Sequence, residues 1–426
     1  MRKLGPRAGA TLAAASAGGR LADRSAIVIG GGISGVLCTG ALARAGFRVT
    51  NLEARHLGAG SSSRTAAGIR QQFGTDATVR AMRYCVRWYR GFSDETDGNA
   101  LPIIQNGYLF LFDTPEGERI AEQRVAVQRA AGLSEIELLR RTALRSRFPW
   151  VGEHITAGTF CPTDGFLLPH LVYMDGAAAA KRLGATFVQG AAVIGASRRN
   201  GLLTEVHTTR GNFAADVFVD CTNAWTRRTA ALLGAEVLPV DPLKRYLWML
   251  GRGTSLSAAD FGQMPLVITP LGAYCRPENA DTLLLGKLNP AEPEPNFTYE
   301  DQDRIDPAMA HNTGVDAWPW SAWAELAEAL PPMAELGGLL ATTSGYYATT
   351  PDHNPFYGFD RQLPNLVRAV GYSGHGAMLG PFTAATVTAL CEAGHDLDAV
   401  KLDGETVSLA SFRIGREPNH PEAMVI

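Results

Sequence analysis

The chain has 426 residues, about three times a ~150-residue domain, with 46% hydrophobic and 19% charged residues; this excludes a disordered chain and predicts a soluble protein of two or three domains. Lys and Arg number 39 against 42 Asp and Glu, a net charge of −3, so no global field favours a polyanion and nucleic acid is not an expected partner. Six cysteines (Cys38, Cys85, Cys161, Cys221, Cys275, Cys391) lie far apart with no CxxC and no Cys/His cluster, which predicts neither disulfides nor a metal site and fits a reduced, cytoplasmic setting.

Residues 1–24 are Arg- and Ala-rich without the continuous apolar core of a secretory signal, and read as a disordered extension, with a weak organelle-type presequence as the alternative. Ala26, Ile27, Val28 and Ile29 then form an apolar run bounded by glycine, the pattern of a strand buried on both faces. After Gly30, Gly31 and Gly32, residues 36–45 read as a helix closed by Gly46, and residues 47–52 as a second strand ending at Glu53. Helical spacing returns over 75–97, with Val79, Met82, Val86 and Tyr89 on one face. A strand at 107–112, a surface helix at 116–131, a helix at 169–184, strands at 185–189 and 217–220, and a helix at 225–234 follow. Short strands at 245–250, 266–269 and 282–285 predict a separate antiparallel sheet, and residues 289–320, rich in Pro, Asp and Glu, a loop. The chain closes with a helix at 323–330, strands toward Tyr347 and at 366–370, and a glycine-rich turn over 371–380 leading into a helix at 383–393. Residues 25–43 and 371–391 carry no charge, but their glycines suit phosphate loops better than membrane spans.

The predicted fold class is α/β in two domains: a Rossmann-like dinucleotide-binding domain (residues 25–90, 169–232 and 338–405) and a mostly antiparallel β-sheet domain (91–168 and 233–337), with 406–426 as a C-terminal tail. Gly30-x-Gly32-x-x-Gly35 has the dinucleotide-binding spacing. The first glycine permits a tight turn, the second close approach to a pyrophosphate, and the third close helix-to-strand packing, while Glu53 is placed for a ribose hydroxyl. The loop at 58–64 (GAGSSSR) suits a second phosphate contact.

With these motifs the chain resembles the D-amino-acid oxidase superfamily of FAD-dependent oxidoreductases, in particular the branch of sarcosine oxidases, glycine oxidases and L-proline dehydrogenase β-subunits. The segments that carry the resemblance are 27–35 (IVIGGGISG), 60–73 (GSSSRTAAGIRQQF), 106–112 (NGYLFLF), 162–165 (PTDG), Asn223-Ala224-Trp225, 345–355 (GYYATTPDHNP) and 371–378 (GYSGHGAM), in family order. The resemblance implies that Gly30, Gly32, Ile33, Ser34, Gly35, Glu53, Ala54 and the Ser62-Ser63-Arg64 loop hold the ADP half of FAD, and Val193 the adenine. It implies a flavin environment of Ala67, Gly68, Ala224, Trp225, Gly345, Gly374, His375, Gly376, Ala377 and Met378, with the last helix's N-terminus against the N1/O2 edge, where reduced flavin is negative. Arg70 corresponds to the arginine that clamps the substrate carboxylate in relatives, His375 to the histidine beside flavin and substrate, and Tyr274 to a strand residue facing the flavin. Arg276 and Lys287 are secondary candidates for the acid group.

The departures matter as much. Gly345 stands where some relatives attach FAD through cysteine, and Arg64 roughly where others use histidine, so FAD is expected to be noncovalent. Leu284 replaces the oxygen-activating lysine of monomeric sarcosine oxidases, and Met378 a second carboxylate-binding lysine. The expected reaction is hydride transfer from an amine-bearing carbon of a small amino acid to flavin N5, with oxygen, a quinone or a partner flavoprotein as acceptor, and with the chain working alone, as an oligomer or within a multi-subunit complex. The alternatives are oxidation of a 2-hydroxy acid, which would want His375 as base, and a flavoprotein assembly factor without turnover.

Overall fold

A computed structural model describes residues 24–97, 100–287, 301–310, 318–418 and 421–424. The expected N-terminal extension and most of the expected loop at 289–320 lie outside the described residues.

The strand Ser25–Ile29 is central to a six-stranded sheet. It runs parallel to Arg48–Glu53 in the register Ser25↔Arg48 and, on its other side, to Val217–Asp220 in the register Ala26↔Val217. Leu366–Val370 continues the parallel set, Thr186–Gln189 forms one edge, and Phe356–Phe359, antiparallel, the other. Side-chain alternation explains why the central strand is apolar at every interior position. Ala26 and Val28 face a helical layer that includes Ile33–Arg44, Asp76–Arg90 and Gly376–Ala393, whereas Ile27 and Ile29 pack against the helix Thr226–Leu233 and a three-stranded meander. That meander (Val193–Arg199, Leu202–Thr208, Gly211–Ala214) was not expected from sequence. Its ladder carries two register shifts, which interrupt strict alternation.

An eight-stranded sheet forms the second body, antiparallel except where Leu266–Ile268 runs alongside Tyr108–Phe112. It follows the period of two closely. Trp248, Leu250, Leu283 and Leu285 face the helix Trp318–Ala329, while Leu247 and Leu284 share the opposite face with Tyr108, Phe110 and Tyr274. Both expected bodies are therefore present, and the mixed α/β class holds. Leu339–Thr349 pairs along Asp241–Gly251, so this strand, expected in the FAD-binding segment, runs in the large sheet. The expected tail opens with the hairpin strand Glu405–Ser408 and goes on to bury Glu422 and Met424.

The helix expected from residue 323 begins at Trp318, and the one expected from 383 begins at Gly376. Pro381 lies inside this helix and cannot donate to Ala377 four residues back. The Tyr89 hydroxyl donates to the Ala377 carbonyl instead, at 2.6 Å. Among the described residues no helix is long and apolar enough to cross a membrane.

Arg368, in the strand Leu366–Val370, is fully buried and donates to Asp220 at 3.0 Å and Asp360 at 2.8 Å, as well as to the Thr226 hydroxyl and the Glu236 carbonyl. Arg368→Met would strand two buried carboxylates without their cation. The expected loss is about 3–5 kcal/mol of stability, read by denaturant unfolding.

Candidate active site

The strand Ser25–Ile29 delivers the chain into a glycine turn whose geometry only glycine tolerates. Gly30 has φ of +111°, and a Cβ there would lie 2.8 Å from the Cys221 carbonyl oxygen. A Cβ on Gly35 would lie 1.9 Å from the Gly30 oxygen, so the third glycine is what lets the helix sit on the turn. Asn51 Nδ2 donates to that same oxygen at 3.0 Å and to Thr39 Oγ1 at 3.1 Å, a brace that sequence reading did not anticipate. The helix Ile33–Arg44 begins at Gly32, which offers no side-chain cap, and has no acid in its first turn. Ser62 Oγ accepts from the Ile33 amide at 3.0 Å, which places the expected serine loop at this helix N-terminus.

Glu53 bonds through one carboxylate oxygen to the Gly31 amide at 2.7 Å and through the other to the Arg55 amide at 2.8 Å. Burial pushes its pKa above the ordinary carboxylate value, against the lowering effect of those amides. A cleft runs from this turn to the start of the last helix. Gly30, Gly32, Ile33, Ser34, Glu53, Ala54, Ser62, Arg64, Val193, Trp225, Gly345, Gly374, Gly376 and Ala377 all line it. The structure adds Asn223, Tyr346, Tyr347 and Tyr372 to this wall, all inside quoted motifs but not singled out as site residues. Gly35, Ser63, Ala67, Gly68, Ala224, His375 and Met378 do not line it; Ala224 and Met378 are core residues, and the Ser63 hydroxyl turns to the Gly60 carbonyl. Arg64 points its guanidinium at the Ala59 carbonyl and at Asp303 rather than presenting it free for a phosphate.

At the far end of the cleft, the turn 371–375 is held from both sides. Asn223 Oδ1 accepts from the Gly371 amide at 3.0 Å, and the Ser373 amide donates to the Ala348 carbonyl at 2.8 Å. Gly374 has φ of +93° and backs onto the Tyr347 ring, which a Cβ would meet at 2.4 Å. His375 sits at the N-cap of the helix Gly376–Ala393, buried, with its ring edge-on to Phe73 at 4.9 Å. Burial, with Arg70 adding to it, drives the His375 pKa well below the usual imidazole value, so the ring is neutral near pH 7.

Arg70 is 1% exposed. Its guanidinium lies over the Phe73 ring at 3.9 Å and within 6 Å of the Phe110 and Tyr108 rings (5.4 and 5.9 Å). It donates to two neutral acceptors, the carbonyls of Gln72 and Met424, and its Nε has no partner. Burial lowers its pKa. No carboxylate among the described residues comes within ion-pair distance of it. The segment is oriented by Asp164 of the Pro-Thr-Asp-Gly motif, which accepts from the Gln71 amide at 2.8 Å and from both glutamine side chains. Burial pushes the Asp164 pKa up to about 6 despite those bonds.

Tyr274 is buried on the large sheet, on the face opposite the helix Trp318–Ala329, and Gly286 across the ladder leaves room for its ring. The two secondary candidates are occupied elsewhere. Arg276 pairs with Glu278 at 2.7 Å and Lys287 with Glu325 at 3.1 Å.

A family model described as FAD dependent oxidoreductase (DAO) matches residues 25–390. The chain belongs to this FAD-dependent oxidoreductase family. It is 26% identical to the bovine (Bos taurus) FAD-dependent oxidoreductase domain-containing protein 1, over 92% of this chain and 84% of that protein. It is 25% identical to human mitochondrial dimethylglycine dehydrogenase, over 81% of this chain but only 40% of that protein. Among solved structures it resembles L-proline dehydrogenase from P. horikoshii, with a TM-score of 0.76 and 29% identity over 90% of this chain and 96% of that one. Glycine oxidase from Geobacillus kaustophilus shares the fold, with a TM-score of 0.75 at 22% identity over 92% of this chain and 99% of that one.

The cofactor of this family oxidoreductase is FAD, and the cleft fits it on its own terms. Glycines stand where side chains would fill the cradle, and the helix N-terminus, with no cap from Gly32 and no acid in its first turn, is suited to a diphosphate. Gly35→Ala is expected to displace the Gly30 turn and yield protein with little bound flavin, read from the ratio of flavin to protein absorbance. Gly40→Ala is the control in the same helix, because its Cβ would meet nothing nearer than Ala180 at 3.7 Å, and it should keep its flavin.

Proposed function

We propose that this family oxidoreductase oxidises the C–N bond of a small amino acid or N-substituted amino acid, of the sarcosine, glycine or proline kind, to an imine that water hydrolyses. The observation that carries the reading is Arg70: a guanidinium almost wholly removed from water, stacked on Phe73, donating to the Gln72 and Met424 carbonyls, and with no carboxylate among the described residues at ion-pair distance. A buried cation with no carboxylate in direct contact is costly, and a bound carboxylate would supply that contact in bidentate geometry. Phe73 lies between Arg70 and His375, so a carboxylate on Arg70 puts the substrate's α-carbon near the turn where the last helix begins.

In this reading Gly30, Gly32, Ile33, Ser34, Glu53, Ala54, Ser62 and Val193 hold the ADP half of FAD, and Trp225, Gly345, Gly374, Gly376 and Ala377 line the flavin. When bound, FAD supplies the hydride acceptor. Attachment is noncovalent: Gly345 has no side chain, and a Cβ there would press on Arg64 at 3.0 Å. Arg70 fixes the carboxylate, Tyr274 and the sheet around it wall the substrate from water, and the neutral His375 keeps a second cation away from the amine. The amine's lone pair forms the C=N bond as the hydride leaves, so no protein base is required. A 2-hydroxy acid would need one, and burial beside Arg70 makes protonating His375 unfavourable. Leu284 shares the Tyr274 face and stands where the resemblance to monomeric sarcosine oxidases would place an oxygen-activating lysine. A quinone or partner flavoprotein therefore suits this chain better as acceptor, and its six free, buried cysteines suit a reduced compartment such as the cytoplasm.

The test is anaerobic stopped-flow bleaching of the flavin by proline, sarcosine, glycine, D-alanine and 2-hydroxyglutarate, followed by air. Bleaching by one amine and slow reoxidation is the expected outcome; bleaching by the hydroxy acid alone would refute the reading. Arg70→Met should lower kcat/KM for that amine by about two orders of magnitude, the scale of an unpaired buried charge contact. Because His375 stays neutral, the acid limb of kcat/KM should move with the pKa of the substrate amine across a substrate series. A limb fixed at one pH for amines of different basicity would instead identify a titrating protein group.

A further inference from the structure

The segment expected as a tail returns to the site. Arg416 is locked to Asp352 by two bonds of 2.6 and 2.7 Å and donates to the Asn354 carbonyl, which ties the segment's start to the Thr-Pro-Asp-His turn. Glu422, 1% exposed, accepts from the Gly74 amide at 2.8 Å and from the Met424 amide at 3.0 Å, and its own amide donates to the Asp352 carbonyl at 2.9 Å. Its charge thus rests beside the N-terminus of the helix Asp76–Arg90, where an anion is stabilised. Those bonds aim Met424 inward. Its side chain packs with Tyr108, Phe110 and Tyr274, and its carbonyl accepts from Arg70. Met424 also walls a surface cavity bounded by Phe112, Arg124 and Ile268, which Arg70 does not line. Met424 therefore stands between that cavity and the buried guanidinium.

Resting on the reading of Arg70 as carboxylate clamp, we propose that residues 421–424 are a built-in competitor for the substrate carboxylate: Glu422 anchors the segment, and Met424 holds Arg70 and fills the adjoining pocket until a carboxylate displaces it. A main-chain carbonyl is a neutral acceptor that partly satisfies the desolvated cation. A carboxylate adds the missing charge and a second oxygen, so the exchange runs toward the ligand. The competition raises the apparent Kd, which equals the intrinsic Kd divided by the fraction of molecules whose segment is out of place. It also sets specificity, since a ligand must replace a methionine side chain as well as a carbonyl. Glu422 and Met424 are thus positioning residues that act through Arg70.

The experiment titrates acetate and pyrrole-2-carboxylate into the FAD-loaded full-length protein, following the flavin absorbance shift, and repeats it on Glu422→Ala and on a chain ending at Glu417. Both variants should bind these anions about tenfold more tightly, with faster association. Amide hydrogen exchange on the unaltered protein supplies a measurement that needs no variant: ligand should accelerate exchange at residues 422–424. Equal or weaker anion binding in the folded variants, or protection of the segment by ligand, overturns the proposal. Binding that Arg70→Met abolishes but segment removal leaves unchanged refutes the competitor alone. Absence of anion binding in every form refutes the Arg70 reading and this inference together.

Discussion

The clamp of Arg368 on Asp220 and Asp360 is the interaction on which the cofactor cleft depends. It joins adjacent parallel strands, Val217–Asp220 and Leu366–Val370, just before each releases a turn into the cleft. One turn carries Asn223 and Trp225 and the other Gly371 to His375, and Asn223 bonds directly between them. Two carboxylates around one cation, further satisfied by Thr226 and the Glu236 carbonyl, form a complete buried network that holds its geometry. The precise placement of both turns follows from two strand ends that cannot slide past one another.

Around this frame the charges are distributed unevenly. The glycine turn presents a helix end with no acid in its first turn, and Arg64 pairs with Asp303. The substrate side has the opposite character. Arg70 is held as a cation among aromatic rings, with His375 kept neutral nearby. A buried guanidinium beside a neutral imidazole suits an anion bearing a neutral amine, which connects the electrostatics to the proposed chemistry.

The parts of this arrangement legible in the sequence were those set by local constraint. The strand of Ala26 to Ile29, its glycine turn and Glu53 appear where expected, because backbone clearance and two-sided burial leave a direct mark on residue type. The alternation of the large sheet was partly legible for the same reason. Three features were not. The Asn51 brace and the Arg368 clamp look like ordinary polar residues until distant strands are brought together. The meander over 193–214 has its alternation broken by register shifts. The early start of the last helix was missed as well, since only the fold reveals that Tyr89 supplies the donor that Pro381 lacks. Arg276 and Lys287 were plausible by residue type, and their acidic partners were invisible in one dimension.

Tyr347 has a consequence that extends beyond the cleft it lines. It belongs to a strand of the large sheet, yet its ring supports Gly374 at the turn that precedes the last helix, and Arg245 lies 5.2 Å from the same ring. The two sheets therefore share a wall at the reaction centre. A molecule built this way resists opening like a book, because any hinge between its halves would tear the support from under the turn. For the proposed reaction this would leave the traffic of substrate and product to displacements of a few residues at the periphery, with the distance between the reacting atoms insulated from that traffic.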